Sequence, residues 1–249
     1  MPLYFIGLGL NNEKDISIKG LEAIKKCDIV YLENYTSILN CKKEDLEKFY
    51  GKKIILARRN LVEASNEIIE NAKIKNVAFL VAGDPLVATT HIDLFLRAKK
   101  EDIKCNIIHN TSIVSAIGVT GLQVYKFGKI TSIPLENENI ETPYDVLKDN
   151  LSLGLHTLFL LDLNPEEDKF LSINDAIRYL LKVELKRNEK IFSEKTLCVG
   201  CARLGSENQV IKSGSAKDLL KFNFGKLVHC LIVPGKLHFM EEEGLSWFK

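Results

Sequence analysis

An excess of either charge is missing from this chain: 34 Lys and Arg stand against 33 Asp and Glu, a net +1 at neutral pH. Such a balance leaves no electrostatic footprint for a phosphate backbone, so no nucleic-acid partner is expected. Long apolar runs are missing too. No stretch of about 18 consecutive apolar residues occurs, which excludes a membrane-spanning helix and argues against a membrane partner. The opening segment Met1-Pro-Leu-Tyr-Phe-Ile-Gly7 has no basic region before its apolar residues and no cleavage-like site, so it is not expected to be a secretory signal. Closely spaced histidines and a second Cys-x-x-Cys are also absent. Cys27, Cys41, Cys105, Cys198, Cys201 and Cys230 are scattered among regular elements, which fits free thiols in a reducing, cytoplasmic setting. Cys198-Val-Gly-Cys201 sits in a strand-like run, where residues three apart face opposite ways, so structural thiols are expected and no metal.

What is present is a steady alternation. A length of 249 residues, 46% of them hydrophobic, is ample for one large α/β domain or two smaller ones. Strand patterns fall at residues 3–8, 28–32, 53–57, 77–82 and 105–108, with helical patterns between them. Ser17 suits the cap of a helix with apolar positions Ile18, Leu21 and Ile24; further helices are expected over 63–72 and 91–99, and Ser112 suits the cap of a short one through Ala116. After a glycine-bracketed segment, residues 121–128, a second series begins. Its strands are expected at 129–133, 156–161, 196–202, 209–212 and 228–233, its helices at 143–151, 173–186, 216–222 and 239–248. Thr142-Pro143 reads as a helix cap followed by proline at the first helical position. Residues 137–141 and 165–169 read as surface loops. The alternation predicts an α/β fold class with two α/β domains, residues 1–125 and 126–249.

The densest chemical signal is Val77-Ala-Phe-Leu-Val-Ala-Gly83-Asp84-Pro85-Leu-Val87-Ala-Thr89-Thr90-His91. Gly83 and Pro85 end a buried strand and present Asp84 at its carboxyl end, the edge where open α/β sheets bind ligands. A plain turn with a capping Asp explains the same residues locally. Gly7-Leu8-Gly9-Leu10 follows the first strand as an incomplete dinucleotide loop: Asn12 takes the third glycine's place, and Glu33 is the one acidic candidate after the second strand. A tight turn fits it equally well. His109-Asn110-Thr111-Ser112-Ile113 follows the fifth strand and belongs at the same edge, as a ligand-binding helix start or an ordinary cap. His229, between Val228 and Leu231, reads locally as a hydrogen-bonded core histidine. His91 and His109 read as helix-start and loop residues, His156 and His238 as loop and cap positions.

Together these segments resemble the diphthine synthase family, of the tetrapyrrole-methylase-like class. The resemblance is carried by Leu3-Tyr-Phe-Ile-Gly-Leu-Gly-Leu10, Tyr31-Leu-Glu-Asn-Tyr-Thr-Ser37, Gly83–His91, Gly121-Leu-Gln-Val-Tyr-Lys-Phe-Gly-Lys129, Leu155–Asp162, Leu197-Cys-Val-Gly-Cys-Ala-Arg203 and Leu227–His238, in order along the whole chain. Cys201 stands where the family usually has Leu, and residues 135–142 and 164–172 look short for it. The resemblance implies two α/β domains with S-adenosyl-L-methionine in the cleft between them, S-adenosyl-L-homocysteine as product, and a homodimer. Motif by motif it implies cofactor contacts from Leu10, Asp84, Val87, Ser112 and Ile113, then Leu161, Leu204 and His229. It implies, as acceptor, the amino group of a 3-amino-3-carboxypropyl chain on a histidine of elongation factor 2. An amine needs its lone pair free but no strong base if it loses its proton on entering a less polar cleft, so no general base is named from sequence. A tetrapyrrole methyltransferase of the same fold and a non-catalytic nucleotide-binding protein are the competing readings.

Overall fold

Five runs of the first half form one parallel sheet, and their alternation decides which helix covers which face. The computed structural model describes residues 1–249, which divide into two units, Met1–Ala116 and Ile117–Lys249. The first unit runs β1 (Pro2–Gly7), α1 (Ile18–Lys25), β2 (Ile29–Glu33), α2 (Lys43–Tyr50), β3 (Ile55–Ala57), α3 (Glu67–Ile74), β4 (Val77–Val81), α4 (Ile92–Lys100), β5 (Lys104–Ile108) and α5 (Ile113–Ala116). The strand order is β3-β2-β4-β1-β5, every pairing parallel. Val77, Phe79 and Val81 of β4 pack with Leu3, Phe5 and Tyr31 against α3 and α4. Ala78 and Leu80 face the other way, with Ile6, Val30 and Leu32, against Ala23 and Ile24 of α1 and Leu46 and Tyr50 of α2. Each fully buried Phe or Leu here contributes roughly 1.5–3 kcal/mol. The connections leaving the neighbouring strands β1 and β4 thus cross opposite faces of the sheet. Their carboxyl ends diverge, the geometry that opens a ligand crevice.

The second unit runs β6 (Thr131–Ile133), α6 (Thr142–Ser152), β7 (Thr157–Leu161), β8 (Leu163–Asn164), β9 (Lys169–Phe170), α7 (Ile173–Arg187), β10 (Leu197–Ala202), β11 (Val210–Ser215), α8 (Ala216–Leu219), β12 (His229–Val233) and α9 (Phe239–Ser246). Its five-stranded sheet, β11-β10-β12-β7-β6, is mixed: β6 and β7 are parallel and the other pairs antiparallel. Phe159, Leu161, Cys198, Ala202, Leu231 and Val233 bury one face against α6, α7 and α8. Cys201, three residues beyond Cys198, instead pairs in register with Cys230, so the two thiols of the Cys-x-x-Cys lie on opposite faces. All six thiols are free.

Several local expectations change. α1 buries Gly20, Ala23 and Ile24, whereas Ile18 is exposed. The helix expected over 63–72 is two pieces, a π turn at Asn60–Ala64 and then α3. The Arg97 guanidinium donates to the Val62 and Ser65 carbonyls and holds the break open. α2 had no predicted counterpart. Glu141, not Thr142, caps α6, which puts Pro143 at the second helical position. Part of the 165–169 loop is the start of β9. β4 stops at Val81, before Asp84, because the next residues pair across to the loop after β1.

Candidate functional site

Glycine decides how the first-unit loops meet. Gly9 and Gly83 form an antiparallel bridge, with Gly83 N–H donating to the Gly9 carbonyl at 2.7 Å and Gly9 N–H returning to Gly83 at 3.2 Å. Both have φ near +80°, at +77° and +79°, a region that costs other residues about 1–2 kcal/mol. A Cβ at Gly7 would lie 2.6 Å from the Gly83 carbonyl oxygen, so that position admits no side chain. A Cβ at Gly83 would meet nothing nearer than 3.9 Å, with Thr111 and Leu10 on its two sides. That open notch against bare backbone is a fit for a ligand that must approach closely.

Asp84 ties this bridge to the loop after β5. Its carboxylate is buried and accepts from Leu86 N–H (3.0 Å), Asn110 N–H (3.1 Å) and the Nδ1 of His109 (2.8 Å). Asn110 then donates from Nδ2 to the carbonyls of Gly7 and Asp15, both at 3.0 Å, while Asp15 Oδ2 accepts from the backbone of Leu10 and Asn11. The three motifs read from sequence are therefore one hydrogen-bonded network. Leu10 is half-buried at its rim and Val87 is exposed; Ser112 is buried and accepts from Val114 N–H at 3.3 Å, with half-buried Ile113 opening α5.

Glu33, at the end of β2, is 2% exposed, and its Oε1 accepts from Tyr35 and Thr36 N–H. Oε2 has no partner, and burial pushes the carboxyl above its ordinary range despite those bonds. His91 stands at the start of α4, as its position implied. It is fully buried, edge-on to Phe79 at 5.1 Å and to Tyr35 at 6.0 Å, and burial brings its imidazole down to about 4, so it is neutral at pH 7.

In the second unit, Leu161 ends β7, Leu204 is buried just after β10, and His229 opens β12. Arg203 organises the neighbouring loop: it donates to the carbonyls of Asn208 (3.1 Å), Phe224 (2.9 Å) and Lys226. His229 pairs its Nε2 with the Lys226 carbonyl at 3.0 Å and lines a groove of about 340 Å³ with Asn174, Phe222 and Phe224. Burial depresses its basicity. His238 caps α9 and His156 stands in the connection between α6 and β7, as their positions implied. His156 lies fully buried there, donating from Nε2 to Glu241 (2.9 Å) and accepting at Nδ1 from Gly235 N–H (2.9 Å). Sequence offered one clue to this burial: the apolar run Leu158–Leu161 begins two residues after it.

A family model for the tetrapyrrole (corrin/porphyrin) methylases matches residues 2–220. A curated diphthine synthase from Methanosarcina mazei is 51% identical over 252 residues, covering 98% of this chain and 94% of that protein. One from Methanococcus maripaludis is 48% identical, with 98% of each chain covered. A crystal structure of a diphthine synthase superposes with a TM-score of 0.92 at 41% identity, covering 100% of this chain and 96% of that one.

Proposed function

The chain belongs to the tetrapyrrole methylase family, and from that premise we propose the methyl transfer that its relatives' names describe. It is a methyltransferase of the diphthine synthase kind. The observation that carries this is identity of about half with diphthine synthases over nearly the full length of both chains. In this reading S-adenosyl-L-methionine is the methyl donor. The acceptor is the amino group of the 3-amino-3-carboxypropyl-histidine intermediate on elongation factor 2, methylated repeatedly in diphthamide biosynthesis. A cytoplasmic homodimer is part of the same proposal. No helix is long and apolar enough to cross a membrane.

S-adenosyl-L-methionine supplies a methyl group made electrophilic by its sulfonium. The chain's own contribution is placement. The notch at Gly83 offers bare backbone beside Leu10, and the Asp84 network keeps that loop and the Ser112–Ile113 turn in one arrangement. We assign the donor's contacts to Leu10, Asp84, Val87, Ser112 and Ile113, with Leu161, Leu204 and His229 from the second unit. Asp84 acts chiefly by holding the loop, since three of its acceptor positions are already taken. A neutral His229 is an uncharged neighbour suited to a cationic donor. Holding donor and acceptor in line accounts for roughly 7–11 kcal/mol of the barrier in well-oriented reactions.

The test is mass analysis of the elongation-factor peptide after incubation with enzyme and donor. Successive methyl additions on the modified histidine are expected. An unchanged peptide, alongside methylation of a tetrapyrrole offered in parallel, would move the assignment to the other branch of the family.

A further inference from the structure

His109 is exposed over 69% of its side chain, yet one ring nitrogen is held by a carboxylate that is only 4% exposed. Asp84 Oδ2 already accepts the Asn110 N–H, so it meets Nδ1 as an acceptor and Nδ1 carries the hydrogen. That bond fixes the tautomer and leaves the Nε2 lone pair free. The dyad stands at the carboxyl edge of the sheet, three residues before Ser112 and on the same carboxylate that braces the Gly83 notch. Neither the exposure nor the pairing serves the core: Asp84 is satisfied by its two backbone donors, and His109 buries little.

Each methyl transfer to an amine releases a proton, and an ammonium must surrender one before it has a lone pair to use. We propose that His109, positioned by Asp84, takes that proton from the acceptor amine. This rests on the functional reading above and extends it to a named base. The N–H bond of the ammonium breaks and an N–H bond forms at His109 Nε2. The amine's lone pair then forms the N–C bond to the methyl group as the methyl C–S bond breaks and sulfur keeps that pair. The exposed imidazolium passes its proton to water and is ready for the next round. A solvent-facing base suits repeated methylation, because it is reset without opening the site.

The test compares wild type, His109→Gln, His109→Ala and Asp84→Asn on elongation factor 2 carrying the 3-amino-3-carboxypropyl-histidine. Loss of a positioned base lowers kcat/KM by roughly a hundredfold or more in His109→Gln and His109→Ala. Imidazole added to His109→Ala should restore part of the rate, and the acid limb of the pH–rate profile should disappear in both. Asp84→Asn should displace that limb. Melting temperature and S-adenosylhomocysteine affinity should stay at wild-type values in His109→Gln, which separates this role from a structural one. Rates within threefold of wild type in both His109 variants would overturn the proposal. So would a rate loss with an unaltered pH profile and no imidazole rescue. Wild-type enzyme that binds no S-adenosylhomocysteine and transfers no methyl group would instead sink the functional reading on which the proposal stands.

Discussion

Gly7 and Gly83 approach so closely that a single methyl group on Gly7 would sit 2.6 Å from the Gly83 carbonyl oxygen. Gly7→Ala should therefore push the two loops apart and abolish S-adenosylhomocysteine binding. Gly83→Ala meets no clash but must hold φ at +79°, a strain of about 1–2 kcal/mol. It should fold with a modestly lower melting temperature and lose affinity, because its Cβ fills the notch. Calorimetric titration of both variants checks this. Wild-type affinity in Gly83→Ala would show that no ligand uses that notch.

Asp84→Ala removes the acceptor of two backbone N–H groups and one imidazole. Each orphaned buried donor costs roughly 1–3 kcal/mol, so the variant should be clearly destabilised. Cofactor affinity should fall by about one to two decades as the loop loosens. Normal affinity, with the single-turnover rate lost at saturating cofactor, would show instead that the carboxylate serves the chemistry alone.

Two glutamates set the acid limit of stability. Burial alone would raise Glu241, but hydrogen bonds from Lys126, Gln123 N–H, His238 N–H and His156 outweigh it and bring the carboxyl down to about 2. Burial would likewise raise Glu184, but hydrogen bonds from Tyr144 and from the Phe192, Lys190 and Ile191 N–H groups outweigh it and bring that carboxyl down to about 2 as well. A depressed native value means stability that is complete above the unfolded value near 4.5 and is lost as pH falls toward 2. Urea unfolding across that window should show the decline, and Glu241→Gln and Glu184→Gln should flatten it. Glu241→Ala should cost roughly 3–5 kcal/mol at neutral pH, since it leaves buried partners unpaired. An equally steep decline in both Gln variants would assign it elsewhere.

Glu33 should behave oppositely. Its carboxyl is raised by burial, so the stability it contributes is present at low pH and is lost as pH rises from about 4.5 through the raised native value. Glu33→Gln keeps an acceptor for Tyr35 and Thr36 N–H while removing the buried charge. Its melting temperature at pH 7 should match or exceed that of wild type. A marked drop would mean that the charge itself is needed.

The proposed dimer has a physical motive in the second unit. Gly121 packs on Gly244, which brings α9 beside the 121–128 segment, and Tyr125, Phe239, Met240 and Trp247 are all exposed there. Light scattering at micromolar concentration should give twice the chain mass. A value near 28.1 kDa would count against it.

Sequence alone determined the elements whose pattern is self-contained. The run Val77–Val81 is apolar on both faces because a central parallel strand is buried on both, and Ser17 and Ser112 announce helix starts through bonds made within three residues. Motif order also brought Leu10, Asp84 and Ser112 to one sheet edge, since successive parallel strands end on the same side. What it did not carry were relationships between segments far apart. α2 buries only Leu46 and Tyr50, too few for a clear period, and the break before α3 depends on Arg97 reaching back from α4. His156 is a loop residue whose acceptor, Glu241, lies 85 positions away. The pairing of His109 with Asp84 is of the same kind. Local propensity is set by neighbours within a turn or a strand, whereas a buried polar contact exists only once folding has brought both partners out of water, and only the tertiary structure decides which partners those are.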